Sequence, residues 1–225
     1  MPLLKFVTAE RPLMVEVQDL VVAGWTGRDA AAVEHHIVEL EAIGVARPRT
    51  TPIFYRVGTS LLTTNAQVDV TGSNSSGEVE FVLVRTAEGL FVGVGSDHTD
   101  RKVEAYGVTV SKQICPKPIA PELWPMDELV DHWDSLALRS WVTCSGKRRL
   151  YQEGAVTQML APTELIARYR PSSGTLPIGM VMYGGTLPVL GGVAGGEQFE
   201  IELEDPIRNR CLRHAYHIRI LAYAD

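Results

Sequence analysis

Cysteines and cationic clusters are scarce in this sequence, and each scarcity excludes a class of protein. The three cysteines, Cys115, Cys144 and Cys211, are far apart and form no C-x-x-C pair. This spacing argues against a disulfide framework or a structural zinc site and favours a reducing compartment. Lysine and arginine total 21 against 27 aspartates and glutamates, a net charge of −6. The sequence therefore lacks the basic footprint of a nucleic-acid-binding protein.

Long apolar runs are also missing. No run approaches the ~18 to 20 residues of a membrane span. The first residues, MPLLKFVTAERPL, place Lys5, Glu10 and Arg11 among their apolar positions and so lack the core of a signal peptide. We therefore expect a soluble, cytoplasmic protein with no nucleic-acid and no membrane partner.

Short apolar runs separated by glycine, asparagine and serine dominate the chain from residue 53 onward and predict β-strands. Before them, AAAVEHHIVELEAIG has apolar residues at helical spacing and predicts one helix that ends at Gly44. The predicted fold class is α+β, mostly β. We expect a single domain of residues 1–225, with residues 1–50 as a semi-separate N-terminal arm and residues 51–225 as a β-rich core.

Two glutamates, Glu78 and Glu80, occupy alternate positions at the start of the run GEVEFVLV. Alternate residues of a strand share one face, so the two carboxylates would lie side by side and repel each other. A solvent-exposed edge strand is the plain alternative. Asp97, in the polar segment GSDHTDR, can add a third carboxylate, although it can equally cap a turn. Three carboxylates suit a hard divalent cation, namely Mg²⁺, Mn²⁺ or Ca²⁺.

Two further motifs can supply acid–base chemistry. His36 and Glu39 form an H-x-x-E pattern on the predicted helix, where their spacing puts both side chains on one face. The glutamate can then orient the histidine, although a solvated helix face is the alternative. Lys112 precedes a Cys-Pro pair in SKQICPKP and can be a buried catalytic lysine with a shifted pKa, or a surface lysine.

The order of these motifs resembles the fumarylacetoacetate hydrolase (FAH) superfamily over most of the chain. VVAGWTG…HHIVE is similar to the lid segment of that superfamily, and GEVEFVLV to its E-x-E metal strand. GSDHTDRKVEAYG, SKQICPKPIAP and GGTLPVLGG resemble three of its later elements, which follow in the same order. The chain departs from the pattern at Arg56, Ser96 and Glu104, where the superfamily has Lys, Asn and Gln. These departures bear on the substrate more than on the metal site.

The resemblance implies an FAH-like mixed β-roll with a small N-terminal helical lid, commonly as a homodimer. By position, it implies that Glu78, Glu80 and Asp97 bind Mg²⁺ or Mn²⁺. It implies that His36, oriented by Glu39, activates water, and that Lys112 stabilises negative charge or delivers a proton. The residues implied to bind a small-molecule oxo-acid substrate are Arg56, Arg101, Gly185 and Thr186. Each of these four has a plain alternative as a turn or surface residue.

The implied function is that of a divalent-metal-dependent hydrolase. It would cleave a C–C bond of a 2-oxo or 1,3-dicarbonyl acid, such as an acylpyruvate, through a metal-stabilised enolate. A decarboxylase or an isomerase/tautomerase of a related oxo-diacid would use the same enolate. A non-catalytic metal-binding relative is the alternative from another class, but such a relative would have no chemical reason to keep the H-x-x-E pair.

Overall fold

The computed structural model describes residues 1–42 and 47–221, and of residues 36, 39, 40 and 42 it describes only the backbone. Strands predominate over helices in these ranges, which confirms the predicted α+β, mostly β class. The strands are β1 (Leu3–Val7), β2 (Pro12–Glu16), β3 (Asp19–Gly24), β4 (Ile53–Val57), β5 (Leu62–Thr63), β6 (Gln67–Val70), β7 (Ser75–Ser76), β8 (Val79–Arg85), β9 (Leu90–Ser96), β10 (Thr99–Asp100), β11 (Lys117–Pro118), β12 (Trp124–Pro125), β13 (Ala137–Cys144), β14 (Lys147–Ala155), β15 (Met180–Thr186), β16 (Gln198–Asp205) and β17 (Arg210–Ile220). The α-helices are α1 (Ala30–Ala42), α2 (Arg101–Glu104), α3 (Val108–Gln113) and α4 (Pro162–Tyr169), and the 3-10 helices are Thr59–Leu61, Met126–Glu128, Val130–Ser135 and Val156–Gln158.

A six-stranded sheet carries the predicted metal strand in its interior. Its order is β12-β9-β8-β15-β3-β4, with β15 and β3 parallel and the other neighbours antiparallel. Strand β8 pairs on both sides, so the edge-strand alternative for Glu78 and Glu80 is wrong. Phe81 and Leu83 of β8 enter one apolar cluster, and Val82 and Val84 enter another. Burial of both faces explains the nearly continuous apolar run in the sequence.

A five-stranded sheet of order β14-β13-β16-β17-β6 packs against the first one. Leu138, Ile201 and Leu203 of this second sheet share one apolar cluster with Phe81 and Leu83. The two sheets therefore form two layers around a common core, as expected when each sheet must bury an apolar face.

The N-terminal strands belong to these layers. Strand β3 lies between β15 and β4 in the six-stranded sheet. The hairpin β1–β2 covers the outer face of that sheet, where Phe6 and Val15 are buried with Val82 and Tyr183. The predicted arm of residues 1–50 is thus reduced to α1 and its flanks. The predicted helix end at Gly44 lies outside the described residues, and none of the described helices is long and apolar enough to cross a membrane.

One end of the six-stranded sheet gathers the chemistry-bearing segments. Strands β3, β9 and β15 run in one direction, and β4 and β8 run in the other. The carboxyl ends of the first three therefore meet the amino ends of the other two. Glu78, Asp97 and Gly185 all lie at this end because of that topology.

Candidate active site

A cleft of about 1200 Å³ opens at this end of the sheet. Its walls come from the ends of β3 and β15, the start of α1 and the helix α3. Of the predicted site residues whose side chains the structure describes, five line it: Glu78, Glu80, Lys112, Gly185 and Thr186. The structure therefore brings together the predicted metal strand, the predicted lysine and the glycine-rich turn.

Three carboxylates meet at the cleft, as the sequence predicted. Glu78, Glu80 and Asp97 each offer an oxygen, and these oxygens lie within 4.8 Å of one another. Asp97 is fully buried and Glu80 is 2% exposed, whereas Glu78 is partly buried. Three acidic groups so close together, two of them out of water, need a compensating positive charge.

The hairpin β8–β9 explains how residues distant in sequence become neighbours. Val79 pairs with Ser96 and Glu80 pairs with Gly95 across the two strands. One position further, the N–H of Asp97 donates to the carbonyl of Glu78 at 2.9 Å. Glu78 immediately precedes β8 and Glu80 lies two positions further along it, so this pairing places Asp97 beside both.

Glu80 is held at the centre of this group against an unfavourable environment. Burial raises the pKa of Glu80, and the charges of Asp97 and Glu78 raise that pKa further, while Lys112 and a backbone donor oppose them. That donor is the N–H of Gly185, 2.6 Å from Glu80 Oε2. Gly185 has φ of +103°, and a Cβ there would lie 1.7 Å from Thr26 Oγ1. Only glycine can therefore occupy this position.

Lys112 is a buried cation of the cleft. Its side chain is buried, so the surface alternative is wrong, and its Nζ hydrogen-bonds Asp97 Oδ2 and lies 4.0 Å from Glu78 Oε2. Burial alone would lower the pKa of Lys112, but the carboxylates of Asp97 and Glu78 outweigh burial and raise it. The same contacts, with Lys117, hold the pKa of Asp97 low despite burial. Lys112 therefore enters the cleft as an ammonium ion.

Sequence reasoning missed a second buried lysine, Lys117. Its Nζ donates to three backbone carbonyls, those of His98 at 2.7 Å, Lys112 at 2.6 Å and Cys115 at 2.9 Å. The same Nζ lies 3.2 Å from Asp97 Oδ1. Lys117 thus joins the end of β9 to the end of α3 and fixes Asp97 relative to Lys112. The cue used for Lys112, a lysine beside Cys-Pro, applies equally to Lys117.

The two predicted substrate-binding arginines each pair with carboxylates of the protein. Arg101 lies 2.9 Å from Glu78 and 2.9 Å from Glu104, and its Nε donates to Ser76. Arg101 therefore orients Glu78, one of the predicted metal ligands. Arg56 pairs with Asp19, has a side chain that is 70% exposed and does not line the cleft.

Thr186 lines the cleft, but its hydroxyl is already used within the fold. It donates to the carbonyl of Val79 at 2.8 Å and accepts from Gln152 Nε2 at 2.8 Å. Gln152 Oε1 in turn accepts from the N–H of Val79. This network, which sequence reasoning did not identify, anchors the start of β8 and hence the two glutamates.

The predicted general-base pair is described only by its backbone. His36 and Glu39 lie on α1, whose first turn begins at the cleft, where Asp29 caps it by accepting from the N–H groups of Ala31 and Ala32. The side chains of His36 and Glu39 lie outside the described residues. Their role remains a prediction.

The carboxylate group fits a hard divalent cation by its chemistry. All its donors are oxygens, which Mg²⁺, Mn²⁺ and Ca²⁺ prefer. Asp97 Oδ1 is buried and receives no hydrogen bond of good geometry, although the Lys117 ammonium lies 3.2 Å from it. Among the described residues, only Glu78, Glu80 and Asp97 form a group of three acidic side chains close enough to share one ion.

The sequence as a whole matches a defined family. Residues 23–216 match the model described as "Protein of unknown function (DUF2848)". The chain belongs to the DUF2848 family. No curated protein sequence matches it.

Solved structures relate the fold of this DUF2848 protein to that of the FAH superfamily. The 5-carboxymethyl-2-hydroxymuconate delta-isomerase from Mycobacterium smegmatis superposes with a TM-score of 0.66 at 14% identity, over 99% of this chain and 100% of that one. A yeast fumarylacetoacetate hydrolase family protein gives 0.63 at 16% identity, over 91% and 94%. A 2-keto-3-deoxy-D-arabinonate dehydratase gives 0.63 at 16% identity, over 93% and 77%. The FAH resemblance seen in the sequence is thereby confirmed for the fold.

Proposed function

We propose that this DUF2848 protein is a divalent-metal-dependent hydrolase that cleaves a C–C bond of a 2-oxo or 1,3-dicarbonyl acid such as an acylpyruvate. The observation that carries the proposal is the group Glu78, Glu80 and Asp97, within 4.8 Å of one another beside the buried Lys112 in a cleft. The fold adds support, since proteins that share it include an isomerase and a dehydratase. A cytoplasmic homodimer is part of the proposal, from the resemblance alone.

The carboxylates have the role of holding the ion. Glu78, Glu80 and Asp97 would bind Mg²⁺ or Mn²⁺, or else Ca²⁺, while Arg101 and Gly185 keep Glu78 and Glu80 in place. When bound, the ion supplies the Lewis acidity that stabilises an enolate next to a carboxylate.

The lysine has the role of the acid. The Lys112 ammonium lies buried beside Asp97 and Glu78, whose carboxylates keep it protonated. It can stabilise negative charge on the substrate carbon that leaves, or protonate that carbon. Lys117 Nζ donates to the carbonyl of Lys112 and so fixes the backbone of that residue.

The helix α1 has the role of activating water. In the proposal, His36, oriented by Glu39, takes a proton from a water molecule whose oxygen bonds to the distal carbonyl carbon. The C–C bond then breaks, its electron pair forms the enolate, and Lys112 donates a proton to the carbon. The proton held by His36 passes to solvent, and Lys112 takes up a proton from solvent. Because the first turn of α1 lines the cleft, movement of this helix can admit or exclude water.

The test is turnover of acylpyruvates and oxaloacetate by the purified protein with and without Mg²⁺ or Mn²⁺. We expect metal-dependent C–C cleavage, and we expect Glu78→Ala to weaken ion binding by more than about 10-fold. Glu164→Ala removes an exposed glutamate on α4 and is the matched control. It should change neither the C–C cleavage nor the ion affinity. The proposal fails if no acid in the panel shows metal-dependent turnover and Glu78→Ala leaves ion affinity unchanged. Release of CO₂ or isomerisation alone would instead identify the decarboxylase or isomerase.

A further inference from the structure

The charges of the cleft are unevenly distributed. Four acidic residues line it, namely Asp29, Glu78, Glu80 and Glu104, against Arg28 and Lys112 among the described lining residues. Lys112 pairs with Asp97 and Glu78, and its role in the proposed function is at the reacting carbon rather than at the far end of the substrate.

Arg28 is committed as well. Its two terminal nitrogens donate to the Asp134 carboxylate at 3.1 Å and 2.9 Å, and its Nε donates to the carbonyl of Met159 at 3.1 Å. This bidentate pair fixes the orientation of the guanidinium. Both cations on the described cleft wall are thus already paired within the protein.

Apolar side chains form much of the remaining wall. They come from three separate elements, namely the first turn of α1, the start of α3 and the segment after β15, and include Val33, Val108, Leu187, Pro188, Val189 and Val193. The cleft volume of about 1200 Å³ exceeds that needed for a three- or four-carbon acid, because drug-sized ligands occupy ~300 to 1,000 Å³. The space is therefore suited to an apolar chain.

We propose that the cleft selects 2-oxo monoacids with an apolar chain over 2-oxo diacids, an inference that rests on the proposed function for the placement of the first carboxylate. A second carboxylate would enter an apolar wall whose nearby acids, Asp29 and Glu104, already accept from the first turn of α1 and from Arg101. It would find no uncommitted cation on the described wall, and burial of an unpaired charge is strongly unfavourable. An apolar chain gains affinity with each methylene it buries, on the order of fourfold.

The test compares two acids of equal length by calorimetric titration of the whole protein with Mn²⁺ present. We expect 2-oxooctanoate to bind at least about 10-fold more tightly than 2-oxooctanedioate, which differs from it by a terminal carboxylate in place of a methyl group. Equal affinities, tighter binding of the diacid, or no binding of either acid would overturn the inference.

A charge variant gives a second measurement. Val108 lies one helical turn before Lys112 on α3 and lines the cleft. Val108→Lys should therefore shift the affinity ratio at least about fivefold toward the diacid. Val130→Lys, at an exposed valine that does not line the cleft, should leave the ratio unchanged. If both variants shift the ratio equally, the cleft wall does not set the preference.

The binding measurement also separates this inference from the proposed reaction. If the monoacid binds more tightly but no acid undergoes C–C cleavage, the reaction is wrong and the selectivity stands. If C–C cleavage occurs and the diacid binds at least as tightly, the selectivity is wrong and the reaction stands.

Discussion

Two buried carboxylates in this protein, Asp205 and Glu80, have opposite surroundings. Asp205 ends β16 at the turn into β17 and is fully buried. Its Oδ1 accepts from the N–H groups of Ile207 and Arg208, and its Oδ2 accepts from Arg210 Nε at 3.1 Å. His132 Nε2 lies 3.1 Å from the same carboxylate. Burial alone would raise the pKa of Asp205, but these partners outweigh burial and lower it.

Glu80 has one backbone donor, Gly185, and two acidic neighbours, and its pKa is raised instead. This difference separates a structural carboxylate, Asp205, which we call the anchor, from a carboxylate of the candidate active site, Glu80. A carboxylate that serves the fold is supplied with donors until its charge is stable. A carboxylate kept near others with few donors is a candidate for binding a cation or for proton chemistry.

The largest loss of stability is expected at Lys117. This residue serves both the fold, through backbone carbonyls, and the site, through Asp97. Lys117→Met should lower the free energy of unfolding by ~3 to 5 kcal/mol, because it leaves buried Asp97 with one fewer cation. It also removes the donor of three carbonyls. Urea unfolding measures the change, with Lys147→Met at an exposed lysine of β14 as the control. A loss below about 1 kcal/mol would show that Lys117 does not hold the site together.

A smaller loss is expected at the anchor. Asp205→Asn should lower the free energy of unfolding by about 1 to 3 kcal/mol, since the amide keeps an acceptor but loses the charge that faces Arg210. Because the pKa of Asp205 is lowered by folding, its stabilisation is present above the unfolded pKa and is lost as pH falls below about 4. Thermal unfolding of both proteins across acidic pH should therefore converge at low pH. Parallel curves would contradict the anchor role.

The smallest effect is expected at Glu80. Without divalent cations, Glu80→Gln should leave the free energy of unfolding unchanged or raise it by up to about 1 kcal/mol, because it removes repulsion from a buried group. Since the folded pKa of Glu80 is raised, its contribution is present at low pH and is lost as pH rises through the folded pKa. Glu80→Gln should not show this decrease in the free energy of unfolding as pH rises.

Addition of Mn²⁺ should reverse the order of stability. It should stabilise the wild type by about 2.7 kcal/mol at 100 times its dissociation constant, and the variant by less. Thermal unfolding with and without Mn²⁺ measures both. If Glu80→Gln destabilises the cation-free protein as much as Asp205→Asn does, then Glu80 also stabilises the fold and the distinction between the two carboxylates is wrong.

Much of the candidate site could be read from the sequence because it is built locally. Glu78 and Glu80 alternate on a strand, and a hairpin between adjacent strands brings Asp97 to them. The position of α1 was equally readable up to Ala42, from its helical spacing. These features depend on periodicity and on near neighbours in the chain.

The N-terminal residues show a feature of the fold that local sequence patterns do not predict. The predicted N-terminal arm of residues 1–50 includes β3, but β3 lies between β15 and β4 in the six-stranded sheet. Strands β3 and β15 are more than 150 residues apart in the chain. The pairing of such distant strands depends on which apolar faces remain to be buried, and no local pattern reports that.

The sequence by itself determined the strand class, the carboxylate triplet and the kind of ion the triplet suits, because side-chain chemistry and period-two spacing are local properties. Only the tertiary structure decided which lysines are buried, that Arg101 supports Glu78, that Arg56 lies outside the cleft and that Gly185 donates to Glu80. A charged side chain in an irregular segment has no periodicity to reveal its direction. Its partners are set by long-range packing, and its burial is tolerated only where that packing supplies donors or opposite charges.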